Sequence, residues 1–326
     1  MKRKTIGKTV EIVGIGLHKG EEIKLVLNPN DGSNIEIPQG IVFKRMDVER
    51  KNPIVTVDYT HLFDLERGTN IRNEDDVKVH TIEHFLSALS VSGITDIFVE
   101  ITGNELPILD GSSIKFIEKF QEAGFKELET EIEPVVLTEP IIFSDEKAGK
   151  YVIGLPYDGF KISYTIDFNH SFLKSQYFET EITFDDYVEK ISKCRTFAFD
   201  YEIDFLKKNN LALGGSLDNA IVIGENGPLN PEGLRYPDEF VRHKILDIIG
   251  DLYVLGRPIK AHVIAIKAGH FVNAKLTALI AEKYLKRMTY DSFRKSYKTF
   301  VRLLLVSDAD ECKKNVYGLY AFVFTM

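Results

Sequence analysis

Arg242-His243-Lys244-Ile245-Leu246-Asp247-Ile248-Ile249-Gly250-Asp251 carries two patterns at once. Val241, Ile245, Ile248, Leu252 and Leu255 fall at helical spacing and form an apolar stripe, while His243, Asp247 and Asp251, four residues apart, form a second stripe. The spacing predicts a helix over 239–255, stopped near Gly256 and followed by a strand over 261–266. An unpaired carboxylate is costly to bury in such a helix. A metal ion gripped by His243 and Asp247, one turn apart, offsets that cost, and Gly250 removes bulk beside them. The plain alternative is a solvated helix face or a hydrogen-bonded core histidine, since exposed faces carry such pairs routinely.

A similar arrangement occurs earlier in the chain. Ile82, Phe85, Leu86 and Leu89 have helical spacing over 81–92, with Thr81 as the expected cap and Gly93 as the stop. A strand over 97–102 and an amphipathic helix over 114–123 follow. Upstream, 9–13 and 23–27 alternate between turn signals and read as strands, as do 134–137 and 160–166 in the second half. Each half thus runs strands, helix, Gly turn, strand. The expected fold is α+β: two similar domains, each a sheet layer packed on helices, with a cleft between them. The charged stretch 126–133 lacks a core pattern and is taken as the linker. This gives domains over 1–128 and 129–288, and an extension over 289–326 whose role the sequence does not reveal, although 300–306 is apolar.

Composition narrows the function. A chain of 326 residues is long for one core, and a net charge of -8 argues against the basic face of a nucleic-acid binder. The two cysteines, Cys194 and Cys312, make no CxxC pair, which fits a reducing cytoplasm better than a disulfide framework. The basic start, 1–8, has no apolar segment after it, and no run reaches membrane-spanning length, so stable membrane insertion is not expected.

Two more clusters carry chemistry. In Val79-His80-Thr81-Ile82-Glu83-His84, a glutamate stands next to a potential metal ligand, where it can act as base towards a metal-activated water. Catalytic zinc usually keeps three protein ligands and an open position, and His84, His243 and Asp247 supply three. The same stretch also matches H-x-x-E-H, an inverzincin peptidase pattern using His80 and His84. That alternative leaves His243 and Asp247 without a role. In Lys267-Ala268-Gly269-His270, the histidine sits in a Gly-containing loop after a strand. With Asp251 as partner it would be a general acid, and without one a loop hydrogen-bonder. Gly14-Ile15-Gly16 and Leu213-Gly214-Gly215-Ser216 lack the rest of a nucleotide-binding fingerprint and read as turns.

Taken together, Gly14-Ile15-Gly16-Leu17-His18-Lys19-Gly20, Thr81-Ile82-Glu83-His84, Pro107-Ile108-Leu109-Asp110-Gly111-Ser112, Cys194-Arg195-Thr196-Phe197, Gly214-Gly215-Ser216, Asn230-Pro231-Glu232-Gly233-Leu234-Arg235, Val241-Arg242-His243-Lys244 through Asp247, and Gly269-His270 resemble the bacterial UDP-3-O-acyl-N-acetylglucosamine deacetylases (LpxC) of lipid A synthesis. The resemblance runs from near residue 3 to about residue 285 and implies hydrolysis of an N-acetyl group with release of acetate. It implies Zn²⁺ on His84, His243 and Asp247, a ligand set that also suits Fe²⁺. Glu83 would be the general base, His270 the acid oriented by Asp251, and Thr196 a donor to the oxyanion. Lys244 would face substrate oxygens beside the metal, and Phe168, Asp167 and Lys267 would lie at the uridine end. An insert over 197–216 would build a hydrophobic acyl passage, with Phe197, Ile203, Leu206, Leu211, Ala212, Gly215, Ser216 and Val222 as its candidates. The family pattern gives His80 no metal role, so it reads as a surface residue at the helix start. The implied enzyme is a cytoplasmic monomer acting on a small-molecule UDP-sugar, and the open alternatives are the peptidase and a non-catalytic sugar-nucleotide binder.

Overall fold

A computed structural model describes residues 1–49 and 51–285. The apolar run 300–306, Cys312 and the extension over 289–326 lie outside the described residues. Contacts group Met1–Ile280 into one compact unit, and Ala281–Leu285 form a single π-helical turn.

The architecture is α+β. Six α-helices occur among the described residues: α1 (Glu83–Ser92), α2 (Ile114–Ala123), α3 (Phe184–Lys190), α4 (Asp200–Lys208), α5 (Glu239–Tyr253) and α6 (His270–Ile280). One five-stranded sheet has the spatial order Val10–Ile15, Glu22–Pro29, Ile97–Ile101, Ile41–Arg45, Ile54–Thr56. Another runs Ile141–Asp145, Lys150–Leu155, Ile259–Ile266, Phe160–Asp167, Ser175–Glu181, with Val135–Val136 added beside Ile259–Ile266. In both sheets the last strand in sequence occupies the centre, antiparallel to one neighbour and parallel to the other. In both, the helix directly before that central strand in sequence, α1 or α5, and the one directly after it, α2 or α6, hold equivalent places, and α3 and α4 are additional in the second half. The repeat suggested by the sequence is therefore a repeat of topology.

Alternation explains why these strands bury one face. Ile23, Leu25 and Leu27 are buried on one side of Glu22–Pro29, and Ile259, Ala261, Val263 and Ala265 on one side of Ile259–Ile266. α1 meets its sheet through Phe85, whose ring lies 5.9 Å from that of Phe43. α5 packs on the strands Phe160–Asp167 and Ser175–Glu181. The two helices also pack on each other, and both are buried nearly all round. Gly250 makes their approach possible: a Cβ there would stand 2.0 Å from the carbonyl oxygen of Glu83.

Three local expectations need correction. Thr81 does not cap α1. It adopts φ +58°, its amide donates to Asn70 Oδ1 (3.0 Å) and its hydroxyl to Glu105 Oε1 (3.3 Å), so the hydroxyl is not free to cap, and Ile82 holds the cap position. The charged stretch 126–133 is for most of its length a strand, Phe125–Glu131, paired antiparallel with Lys2–Ile6. Its side chains are mostly exposed, which is why it shows no core pattern. His270 begins α6 rather than sitting in a loop.

Replacing Gly250 with alanine forces α1 and α5 apart. Overpacking of this kind costs about 1–3 kcal/mol, so Gly250→Ala is expected to lower the urea midpoint clearly. An unchanged midpoint would mean that the helices do not approach this closely.

Candidate active site and metal centre

α1 and α5 bring three potential ligands together. The donor atoms of His84, His243 and Asp247 lie within 4.8 Å of one another, and all three residues are buried. Asp247 Oδ1 lies 3.3 Å from His243 Nε2 and 3.6 Å from His84 Nε2. His243 Nδ1 donates to the Cys194 carbonyl at 3.1 Å. That bond fixes the tautomer and leaves the Nε2 lone pair facing Asp247. Burial pushes His243 down to about 3, against the pull of Asp247, so its imidazole is neutral as a ligand must be. Burial raises the Asp247 carboxyl, but the positive charges of Lys244 and His270, with the His84 ring, more than offset it and hold the group well below the usual range. Lys244 Nζ pairs directly with Asp247 Oδ2. His84 turns its Nε2 towards Asp247, and its Nδ1 is buried without a hydrogen-bond partner among the described residues. Two imidazoles and one carboxylate, converging and buried, suit a divalent metal of intermediate softness.

Groups suited to moving protons surround this set. Glu83 is buried, its carboxylate accepts from the Thr69 amide at 2.8 Å, and burial raises its pKa. His270 Nδ1 donates to both carboxylate oxygens of Asp251, at 3.1 and 3.0 Å. Burial opposes its charge, but Asp251, then Asp247 and Glu83, outweigh burial and lift His270 to about 9. Asp251 also accepts from the Thr69 hydroxyl and from Asn273 Nδ2 (2.8 Å). The sequence offers no local signal for Thr69, which comes from a loop far from Asp251 along the chain. Asn273 is one turn after His270 and becomes legible only once α6 is recognised.

A cavity of about 450 Å³ adjoins these groups. Its walls include Glu83, His84, His243, Lys244, Asp247 and His270, together with Thr196, Phe197, Phe168, Asp167 and Lys267. Phe168 packs edge-on against Phe197 and Phe199, and Lys267 Nζ lies 3.3 Å from Asp167 Oδ2. A second cavity, about 320 Å³, is lined by Ile203, Leu206, Ala212, Gly215, Ser216 and Val222 among others. Leu211 is not on either wall. Leu17, Arg67, Thr196 and Phe197 border both cavities. Of the wall residues, Leu17, Glu66, Arg67, Ile108, Lys150 and Glu202 carry no chemical pattern in the sequence that marks them as site residues.

His80 is outside the ligand group. It is half-buried rather than on the surface, bridged to Glu105 and edge-on to Phe63 at 5.3 Å. Burial, then Lys78, lowers its pKa to about 4. Two other sequence motifs have a structural role. Arg195, 1% exposed, donates from its backbone (2.9 Å) and Nε (3.0 Å) to Glu239 Oε1, from Nη2 to the Gly233 carbonyl (2.7 Å), and pairs with Glu232. This ties Cys194–Phe197 to 230–235 and to the start of α5, and so holds Thr196 at the cavity wall.

Two imidazoles with a carboxylate, a buried glutamate and a histidine–aspartate couple around one cavity are the parts of a metal-assisted hydrolase. A family model, LpxC: UDP-3-O-acyl N-acetylglycosamine deacetylase, matches residues 3–282, and the chain belongs to that family. It is 41% identical over 288 residues to the UDP-3-O-acyl-N-acetylglucosamine deacetylase of Neisseria meningitidis serogroup C, covering 87% of this chain and 91% of that one. It is 40% identical over 288 residues to that of Pseudomonas entomophila (86% and 91% covered) and 40% over 280 residues to that of Coxiella burnetii (85% and 89%). Among the described residues no helix is long and apolar enough to cross a membrane.

Two measurements test this centre. His243→Ala and Asp247→Ala are expected to lose bound metal by atomic absorption, while His80→Ala keeps it; the reverse pattern would overturn the ligand set. In metal-free protein, the His270 imidazole should titrate near 9 by NMR. The raised value means that its contribution to stability is complete below the unfolded value of about 6.5 and fades as pH rises through about 9. Asp251→Asn removes the main cause, so the His270 midpoint must fall; no fall would place the raising charge elsewhere.

Proposed function

We propose that the chain hydrolyses the N-acetyl group of UDP-3-O-acyl-N-acetylglucosamine, releasing acetate in lipid A synthesis, with Zn²⁺ held by His84, His243 and Asp247. The observation that carries this is the convergence of the ligand group, Glu83 and His270 on one cavity in a member of the deacetylase family. Zn²⁺, or Fe²⁺ in its place, would polarise the amide carbonyl and lower the pKa of water at the site.

The chain's own residues do the rest. Glu83, its proton affinity raised by burial, removes a proton from the attacking water as the new C–O bond forms. The Thr196 hydroxyl donates to the carbonyl oxygen as it gains charge. His270, kept protonated by Asp251, gives its proton to the glucosamine nitrogen as the C–N bond breaks, leaving acetate and the free amine. Lys244 steadies Asp247 and adds positive charge at the cavity wall. Phe168, with Asp167 and Lys267, takes the uridine diphosphate end, where the flat ring and the ammonium suit a base and an anion. Phe197, Ile203, Ala212, Gly215, Ser216 and Val222 form the acyl passage. Glu83 and His84 come from one of the two topological repeats and His243, Asp247 and His270 from the other. Two cysteines without a CxxC spacing support a cytoplasmic enzyme. The peptidase alternative has no observation behind it, since His80 lies outside the ligand group. A mere binder would need neither the buried Glu83 nor the His270–Asp251 couple.

Acetate release from UDP-3-O-acyl-N-acetylglucosamine should stop on adding a chelator and return with Zn²⁺. Glu83→Gln is expected to reduce kcat by about 10²- to 10⁴-fold while folding and metal content stay unchanged. Undiminished turnover in that variant would remove Glu83 as the base, and a metal-loaded wild type that releases no acetate would sink the activity itself.

A further inference from the structure

We propose that Arg67 recognises the ester carbonyl of the 3-O-acyl group, with Glu202 holding its guanidinium at the junction of the two cavities. This inference rests on the deacetylase reading and adds a specificity-determining residue to it.

The position follows from the connectivity of the substrate. The reacting acetamide and the acyl ester stand on neighbouring carbons of the sugar. When the acetamide faces His84, His243 and Asp247 and the chain enters the apolar cavity, the ester between them must lie where the cavities meet. Four residues border both cavities: Leu17, Arg67, Thr196 and Phe197. Leu17 and Phe197 offer the ester no side-chain donor, and Thr196 is engaged at the oxyanion. Arg67 remains, and it is the charged one of the four. A buried or half-buried carbonyl left without a donor costs binding energy, so a donor at this junction is where selection for an acylated sugar is most effective.

Arg67 is held in place from two sides. Its Nη2 donates to Glu202 Oε1 at 3.1 Å, and Glu202 is itself fixed at the start of α4, where its other oxygen accepts from the Phe199 amide at 3.3 Å. The next two residues in the chain are anchored at the catalytic groups. Thr69 binds Glu83 and Asp251, and Gly68 lies so close to Glu83 that a Cβ there would stand 3.2 Å from Oε1. The guanidinium is thus indexed to the reacting centre through two peptide units. It carries five N–H donors in a fixed fork, and the bond to Glu202 engages one of them. Its side chain is 39% exposed, so a ligand can reach it.

The test uses two ligands of equal chain length: the 3-O-acyl ester substrate and a 3-O-alkyl ether analogue, which differs by lacking the carbonyl oxygen. Dissociation constants are measured by calorimetry on zinc-loaded, full-length protein carrying Glu83→Gln, which prevents turnover. The ester is expected to bind about tenfold tighter than the ether, the worth of a hydrogen bond to a charged donor. Adding Arg67→Met, which keeps much of the length and removes the fork, should erase that preference. An ester preference that survives Arg67→Met overturns the proposal. So does an equal loss of affinity for both ligands, which would make Arg67 a packing or latch residue. Because the readout is binding, it stands apart from catalysis: a wild type that releases no acetate would overturn the activity, while the ester–ether difference would still decide the role of Arg67.

Discussion

The contact on which this molecule turns is the meeting of α1 and α5 at Gly250. Both helices are apolar enough to be buried nearly all round, so burial alone would let them slide or rotate against each other. A missing side chain fixes the register. The Glu83 carbonyl occupies the space that a Cβ at residue 250 would fill. With the backbones this close, the first turn of α1 lies beside the middle of α5, and His84 comes within 3.6 Å of Asp247. A wider crossing would leave the same residues buried and too far apart to share an ion. The two sheets contribute indirectly: each backs one of the two helices, and so supports the approach from outside.

Crowding ionisable groups onto buried helices is unfavourable unless each has a partner. The structure answers with two histidines in opposite states. His243 gives its Nδ1 hydrogen to a carbonyl, a neutral acceptor that does little to favour charge, and burial then keeps the ring neutral. His270 gives the same hydrogen to the Asp251 carboxylate, which keeps the ring charged despite burial. One residue type is thus held neutral, as a metal ligand would need, and charged, as a proton donor would need, and the difference lies in what stands behind each ring. Thr69 and Asn273 extend the logic outward by saturating the oxygens of Asp251, so that its charge is directed at His270.

Much of this was legible because α5 carries its information locally. Its apolar residues recur at helical spacing, and its polar ones do so four apart, so the helix, its buried face and a candidate ligand pair can all be read from one short stretch. α6 was not legible for the same physical reason in reverse. Val272, Leu276 and Ile280 follow the helical period, but Asn273 and Thr277 are buried alongside them, bonded to Asp251. Buried polar residues blur the contrast on which periodicity depends, and Gly269 made the start look like a loop. Thr81 misled as a cap because its hydroxyl and amide are claimed by Glu105 and Asn70, residues of other segments. Arg67 and Thr69 had no local signal of any kind. Their roles come from contacts with α4, α1 and α5, which no window along the chain contains.

The glycine-rich motifs show the same limit from another side. Gly14-Ile15-Gly16 and 213–216 read as turns in the sequence, and the structure bears out the second, whereas Gly14 and Ile15 end the strand Val10–Ile15 and the chain turns after them, over 17–19. Their spacing, however, serves a long-range contact. A Cβ on Gly214 would stand 2.2 Å from the Gly16 carbonyl oxygen, and the amides of Leu213 and Gly214 donate to the His18 and Leu17 carbonyls at 3.1 and 3.0 Å. The far end of the insert is thus pinned to the N-terminal loop by backbone, and α4 is pinned at its near end by Arg67 and Glu202. A cavity whose wall is fixed at both ends by contacts of this kind resists widening along its length. The room inside it is then set by the side chains that point inward, Ile203, Ala212 and Val222, whereas the outline of the wall is set by glycines whose importance lies in having no side chain at all.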